Sequence, residues 1–127
     1  MAAATRDREA LEVIATRKFA GCFATGFDLE MLTRRLHIGA YGTLRGGSET
    51  YSAQVTFFGV GDFRIENLAA AFPQSATIES FTVTYSDDDE TGTAELRGRE
   101  QWSIAWSFDG VAYSEHPAVV ASYSDDF

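Results

Sequence analysis

Three side chains of this sequence could serve nucleophilic or acid–base chemistry: Cys22, His37 and His116. His37 lies between two aliphatic residues, so in a strand it would face solvent while its neighbours face the core. His116 follows a glutamate and precedes a proline, and we expect it in an exposed turn. Nothing near Cys22 in the sequence would activate its thiol, so we expect it to pack as a small hydrophobe. The sequence therefore predicts no catalytic and no cofactor-binding residue.

The acidic run Asp87-Asp88-Asp89-Glu90 is the second feature with a chemistry to test. Against a calcium loop of the EF-hand type, Asp87 and Asp89 match the first and third positions, and Gly92 matches the sixth. The twelfth position, which needs a glutamate, is a glycine. We therefore predict no metal site and interpret the run as a solvated hairpin tip. Its four acids, together with Glu95, are the candidate residues for docking a basic protein.

Charge is distributed unevenly along the chain. Residues 1–50 carry seven basic and six acidic side chains, whereas residues 51–127 carry three basic and thirteen acidic ones, which gives −9 overall. An acidic field repels phosphate, so the sequence predicts neither a nucleic-acid partner nor an anionic membrane surface. The same field attracts a basic protein and accelerates association with it.

Length and hydrophobic content bound the class of protein. With 127 residues, 45% of them hydrophobic, the chain suits one domain, residues 1–127, with a substantial core. No apolar run approaches the roughly 20 residues of a membrane span, and residues 1–12 lack the apolar stretch of a secretory signal. A single cysteine permits no internal disulfide. We therefore expect a reduced, cytoplasmic protein.

The elements that must position these residues are mostly strands. The segment Gln101–Asp109 alternates apolar with small or polar residues, and Trp102, Ile104, Trp106 and Phe108 share one face. A period of two is typical of a half-buried strand, so we expect both tryptophans in the core. The dipeptide after Phe108, Asp-Gly, is a strong hairpin signal that would return residues 111–114 beside the tryptophan strand.

The rest of the chain is less regular. The spacing of apolar residues predicts an amphipathic helix over residues of about 5–20, capped by Thr5. Residues 28–36 fit either a helix or a strand, and we favour a strand over residues 33–44. A change of phase near Glu79-Ser80 predicts a β-bulge.

Short turns separate the predicted strands, and short turns join antiparallel neighbours. The predicted fold class is therefore α+β and mainly antiparallel, with one N-terminal helix and a β-rich body over residues of about 28–123, arranged as a meander sheet or a small sandwich. Open sheet edges tend to pair, so a homodimer is also expected.

Three segments taken in order carry a resemblance: Phe-Asp-Leu-Glu-Met-Leu from Phe27, Val-Thr-Phe-Phe-Gly-Val-Gly-Asp-Phe-Arg-Ile-Glu-Asn from Val55, and Trp-Ser-Ile-Ala-Trp-Ser-Phe from Trp102. Over residues of about 27–115 the chain resembles a loose group of small bacterial β-rich proteins, mostly uncharacterised, some grouped with immunity proteins of toxin–antitoxin-like competition systems. A His-Asp pair often opens such domains, whereas this chain has Phe27-Asp28. The resemblance carries no catalytic motif and implies no known activity.

Two hypotheses about function follow. The first is a non-enzymatic interaction module that binds a basic protein, as an immunity-type inhibitor would. The second is a small-ligand-binding or catalytic β-domain with an aromatic pocket that uses His37 or His116. A hollow, polar-lined aromatic face would favour the second, and a filled core with an acidic surface would favour the first.

Overall fold

The structure, a computed structural model, describes residues 5–6, 8–66, 77–85, 91–99 and 101–118. The described part contains one helix, α1 (Arg8–Thr16), and nine strands. The strands are β1 (Thr5–Arg6), β2 (Phe23–Glu30), β3 (Arg35–Gly42), β4 (Tyr51–Phe58), β5 (Gly61–Glu66), β6 (Ile78–Tyr85), β7 (Gly92–Gly98), β8 (Ser103–Phe108) and β9 (Gly110–Pro117).

The strands form two sheets, and every pairing is antiparallel. One sheet has the order β1-β9-β4-β3-β2, and the other has the order β5-β8-β7-β6. We call them sheet A and sheet B. Their buried faces share one hydrophobic core, so the fold is an α+β sandwich, and the predicted class is confirmed. A plain meander is ruled out because β9 is inserted between β1 and β4.

The chain crosses between the sheets at two neighbouring corners. The first joins β4 to β5 through Gly59, and the second joins β8 to β9 through Asp109, whose amide donates to the carbonyl of Phe58 at 2.7 Å. Gly59 has a φ of 65°, and a side chain there would collide with Asp109. The expectation that residues 111–114 return beside the tryptophan strand is therefore wrong. They pair with β4 instead, because Asp109 leads the chain out of sheet B.

The helix is shorter than predicted and closes one side of the sandwich. Thr5, expected as its cap, lies in β1 and pairs with Tyr113. Ala10 and Ile14 are the buried residues of α1, which contacts β1, β6 and β9. With nine residues, α1 is far too short to cross a bilayer, and the described residues contain no other helix.

Residues 28–36, which fitted either a helix or a strand, are divided between three elements. β2 runs to Glu30, residues 31–34 form the turn of a hairpin, and β3 begins at Arg35. The β-rich body therefore starts at Phe23, before the predicted residue 28. The predicted bulge in β6 is confirmed by a register shift between Ile78 and Ser80.

The tryptophan face lies in the core, as predicted. Trp102 and Trp106 are 3% and 2% exposed. The ring of Trp106 meets that of Phe57, on the facing sheet, edge-on at 5.0 Å. Trp102 packs over Gly98, whose missing side chain leaves room for the indole. The aromatic stripe is therefore packing between two sheets.

Candidate functional site

Exposed large apolar side chains are concentrated at two edge strands of the sandwich, β2 and β5. Among the described residues, the large hydrophobic side chains that solvent reaches lie on the edge strand β2, on the turn that follows it, or on the edge strand β5. They are Phe23, Phe27, Met31, Leu32 and Ile65, with Leu32 completely exposed at 101% and Met31 at 77%. Concentration of apolar surface in one region is typical of an interaction site.

The opening between the two edge strands gives this region its shape. Phe27 pairs with buried Ile38, and Ile65 pairs with buried Ile104, so both face the space between the sheets. Solvent nevertheless reaches 38% of Phe27 and 46% of Ile65. We call this opening, lined by Phe27, Leu29, Phe63 and Ile65, the open mouth.

The open mouth rests on the aromatic core. The ring of Phe27 lies 5.8 Å from Phe63 and 6.4 Å from Trp106, and Phe63 stacks on Trp106. Among the described residues, Nε1 of Trp106 is buried without a hydrogen-bond partner. The floor of the mouth is thus made of packed aromatic rings, which suits it to receive apolar side chains.

Two contacts between the sheets hold the mouth at its ends. At one end Val60 donates its amide to the carbonyl of Arg34 at 2.9 Å, and Nε of Arg34 donates back to the carbonyl of Val60 at 3.1 Å. Arg34 adopts a positive φ of 55° to make this reciprocal contact. At the other end Phe23 forms a bridge with Thr77.

Charged side chains lie on the outward faces of the two strands that border the mouth. Asp28 and Glu30 are exposed on β2, and Asp62 and Glu66 are exposed on β5. Arg64 is the one base on these two strands, and the turn and strand that follow β2 add Arg34 and Arg35, so four carboxylates are present with three guanidiniums. The region therefore combines an apolar centre with a charged rim that carries a small excess of acid, which a basic partner with apolar anchors would complement.

No family model, curated protein or solved structure significantly matches this chain. The resemblance to small bacterial β-rich proteins therefore stays a prediction.

Of the docking residues proposed from the sequence, Asp87, Asp88, Asp89 and Glu90 lie outside the described residues. Glu95 is described, on the outer face of sheet B. Its carboxylate accepts a hydrogen bond from Nε of Arg97 at 3.0 Å, with both side chains largely exposed. Because Arg97 offsets its charge, Glu95 alone is a weak attractor for a basic partner.

A shallow depression of about 320 Å³ lies beside Glu95 on that outer face. Its lining includes Asp62, Arg64, Ala105 and Ser107. It mixes both signs of charge and contains neither histidine, so it is not the histidine-bearing aromatic pocket of the second hypothesis.

The two histidines and the cysteine lie apart from the mouth interior. His116 is exposed as predicted, although it belongs to β9 rather than to a turn. Cys22 is 3% exposed, and its thiol donates to the carbonyl of Lys18 at 3.2 Å. Burial raises the pKa of the Cys22 thiol, so it is a poor nucleophile.

His37 has two hydrogen-bond partners that the sequence did not indicate. It faces outward on β3, as predicted, with Nε2 bonded to the carboxylate of Glu30 and Nδ1 3.1 Å from the hydroxyl of Thr56. A hydroxyl, an imidazole and a carboxylate in line are the elements of a nucleophilic triad. Glu30 and Thr56 reach His37 from neighbouring strands of sheet A, so their spacing in the sequence gave no sign of this arrangement.

Glu115, which the sequence placed in an exposed turn, is 5% exposed on the core-facing side of β9. Its carboxylate accepts hydrogen bonds from Nε of Arg17 and Nε of Arg45, both at 2.5 Å, and from the hydroxyl of Tyr113 at 2.9 Å. Burial would raise the pKa of Glu115, but these three donors outweigh it and lower the pKa. With its oxygens occupied, Glu115 is a structural brace.

Proposed function

We propose that this protein is a non-enzymatic interaction module that docks a basic protein segment at the open mouth. One observation carries the proposal. The large exposed hydrophobic side chains of the described residues occur together, on β2, on the turn that follows it and on β5, among charged side chains with a small excess of carboxylates. Apolar anchors would supply affinity and the acids would supply orientation and association rate.

The acidic excess of the whole chain supports the same choice of partner. A net charge of −9 would draw a basic protein towards any face, and the local excess at the mouth would then orient it. The packed aromatic core supports this hypothesis over an aromatic ligand pocket, because Trp102 and Trp106 occupy the space such a pocket would need.

An immunity-type inhibitor of the bacterial cytoplasm is the specific role we propose. Such an inhibitor needs a preformed complementary surface and no catalytic group. The buried free thiol of Cys22 is compatible with a reducing compartment, and the sequence resemblance points to the same class of protein.

The test compares Asp28→Lys with Glu12→Lys as its matched control. Both change the net charge by the same amount, but Asp28 lies at the mouth and Glu12 is exposed on α1, at the closed side of the sandwich. The purified variants are used to capture proteins from the source cell at low and high salt. We expect the wild type and Glu12→Lys to retain the same basic protein at low salt and Asp28→Lys to lose it.

A third variant separates apolar docking from charge. Leu32→Ser removes a completely exposed side chain and should leave folding unchanged, yet weaken capture at both salt concentrations. Equal retention by Asp28→Lys and Glu12→Lys would place the interface elsewhere. Loss of capture only when Asp87, Asp88, Asp89 and Glu90 are neutralised together would assign it to the acidic run.

The arrangement of Thr56, His37 and Glu30 favours a second candidate function, ester hydrolysis. The hydroxyl of Thr56 would attack the acyl carbon while His37 takes its proton and Glu30 holds the imidazole. The ester C–O bond would then break, with the proton passing from His37 to the leaving alcohol, and water deprotonated by His37 would hydrolyse the acyl-enzyme and regenerate the hydroxyl of Thr56. A chromogenic acetate ester is the probe. Hydrolysis that His37→Gln and Thr56→Val both abolish would support this candidate, and a rate equal to that of buffer would remove it.

A further inference from the structure

We infer that β2 accepts an extended segment of the partner as an added strand, and that this segment alternates apolar residues with lysine or arginine. The inference rests on the proposed function and specifies how the partner binds. Strand addition is a common mode of peptide recognition, in which backbone hydrogen bonds supply affinity and alternate side chains supply specificity.

The backbone of β2 is available for this pairing. Among the described strands, β2 is the last of sheet A and pairs along its length with β3 alone, apart from the bridge between Phe23 and Thr77. A bulge between Ala24 and Gly26 interrupts its first half, whereas the register is regular from Phe27 to Glu30. Natural edges are often protected by charged side chains, proline or a bulge. The regular half of β2 contains no proline and no bulge, and its two charges, Asp28 and Glu30, are both acidic, so they oppose an acidic strand but not a basic one.

The side chains of β2 define the sequence of the added strand. Phe27 and Leu29 pair with buried residues of β3 and face the mouth, whereas Asp28 and Glu30 face outward. A neighbouring strand keeps the same alternation of faces. Its apolar side chains would therefore pack against Phe27 and Leu29, and its alternate residues would lie beside Asp28 and Glu30. The carboxylate of Glu30 already bonds to His37, so Asp28 is the acid that favours a lysine or arginine on the added strand.

A second copy of this chain fits β2 poorly. In an antiparallel pairing of two β2 edges centred on Asp28, each Asp28 would face its counterpart in the other subunit. If the pairing is centred on Leu29 instead, Asp28 would face Glu30 of the partner subunit. Like charges directly opposite destabilise a strand pair, so both registers are unfavourable. A basic strand removes this repulsion, and we therefore assign the edge to a basic partner.

The experiment uses the full chain and a synthetic peptide of about eight residues, the length of β2, that alternates valine with lysine. Two further peptides carry N-methyl groups on alternate backbone amides, one in each register. N-methylation removes backbone donors but leaves the charge and the apolar side chains. A fourth peptide has the same residues in two blocks, without alternation.

We expect the alternating peptide to bind, to shift the amide resonances of residues 27–30, and to slow their hydrogen exchange. One of the two N-methylated peptides should lose affinity for the protein about tenfold or more, while the other should bind almost normally. The reason is that only one set of alternate peptide amides faces β2. The block peptide should bind weakly. Asp28→Lys should weaken binding of the alternating peptide, and Glu12→Lys should not.

Failure of this inference is distinguishable from failure of the proposed function. If both N-methylated peptides bind as well as the unmodified one, no backbone ladder forms and strand addition is wrong, although docking of a basic segment stands. If no peptide binds while a captured basic protein still depends on Asp28, strand addition is again wrong and the proposed function stands. Perturbation of β5 or of the outer face of sheet B, with β2 unaffected, would also overturn it.

Discussion

The buried carboxylate of Glu115, on β9, lies 2.5 Å from Nε of Arg17, the residue that follows α1. The two residues are 98 positions apart in the chain. The second oxygen of the carboxylate bonds to Arg45, in the connection between β3 and β4. One carboxylate thus joins three separate segments of the chain.

Glu115→Gln should destabilise the fold by roughly 2–4 kcal/mol. This is somewhat below the usual range for breaking a buried ion pair, because both arginines reach solvent. Equilibrium unfolding in urea provides the measurement. Glu95→Gln, which breaks the exposed pair with Arg97, is the control and should change the free energy of unfolding by about 0.5 kcal/mol or less.

Acid should remove the stabilising contribution of Glu115. The pKa of Glu115 in the folded protein is lowered from its ordinary value of 4.5, so its contribution is present above that value. The contribution is lost as the pH falls through the lower, folded-state pKa. The melting temperature of the wild type should therefore decrease more steeply below about pH 4.5 than that of Glu115→Gln. Parallel curves for the two proteins would contradict this prediction.

Trp106→Ala should cost about 3–5 kcal/mol, since it removes a large ring from a filled core. A loss of that size would lower the melting temperature by roughly ten degrees or more. Trp106→Phe should cost much less, because it keeps a ring near Phe57 and removes an indole N–H that has no partner among the described residues. Equal losses for the two variants would show that ring volume is not what the site requires.

We expect the predicted homodimer to form through β5. In an antiparallel pairing of two β5 edges centred on Ile65, Arg64 would face Glu66 of the partner subunit, which is a favourable opposite-charge pair. Arg64→Glu should then abolish a dimer, whereas Arg97→Glu, on β7, should not. Analytical ultracentrifugation of the wild type at high concentration is the check, and a uniform 13.9 kDa species would contradict the predicted homodimer.

Removal of metal should leave the protein unchanged. The described residues contain no group of three metal-ligating side chains, and the acidic run at residues 87–90, outside them, lacks the twelfth-position glutamate of a calcium loop. We expect the same melting temperature with EDTA, with added calcium and with added zinc. A rise of several degrees at micromolar metal would reveal a site and refute the prediction.

The strands were predictable where one face of the sheet is buried and the other is not. The alternation around Trp106 reflects one buried and one outward face of β8. The change of phase at Glu79 marks the bulge in β6, where the buried face shifts by one residue. The exchange of sheets at Asp109 was not predictable, because an Asp-Gly pair suits a hairpin equally well. In the structure the change of sheet is accompanied by a hydrogen bond from the amide of Asp109 to the carbonyl of Phe58, a residue far away in the chain.

The candidate site was harder to predict than the core. Phe27 and Leu29 alternate in the sequence, as core residues do, and the position of β2 at a sheet edge leaves Phe27 exposed. Met31 and Leu32 carried a usable signal, since two large apolar residues in a hairpin turn are unusual. Glu115 gave no signal, because its arginine partners come from distant segments.

The position of β9 also determines when this protein can fold. β9 lies between β1 and β4, so sheet A joins residues 5–6 to residues 110–117 and is incomplete until the ribosome has released nearly the whole described chain. Such long-range pairing is slow, on a scale of milliseconds to seconds for comparable β proteins. During that delay β4 has an unpaired edge of its own, which makes a nascent or truncated chain lacking β9 prone to aggregate.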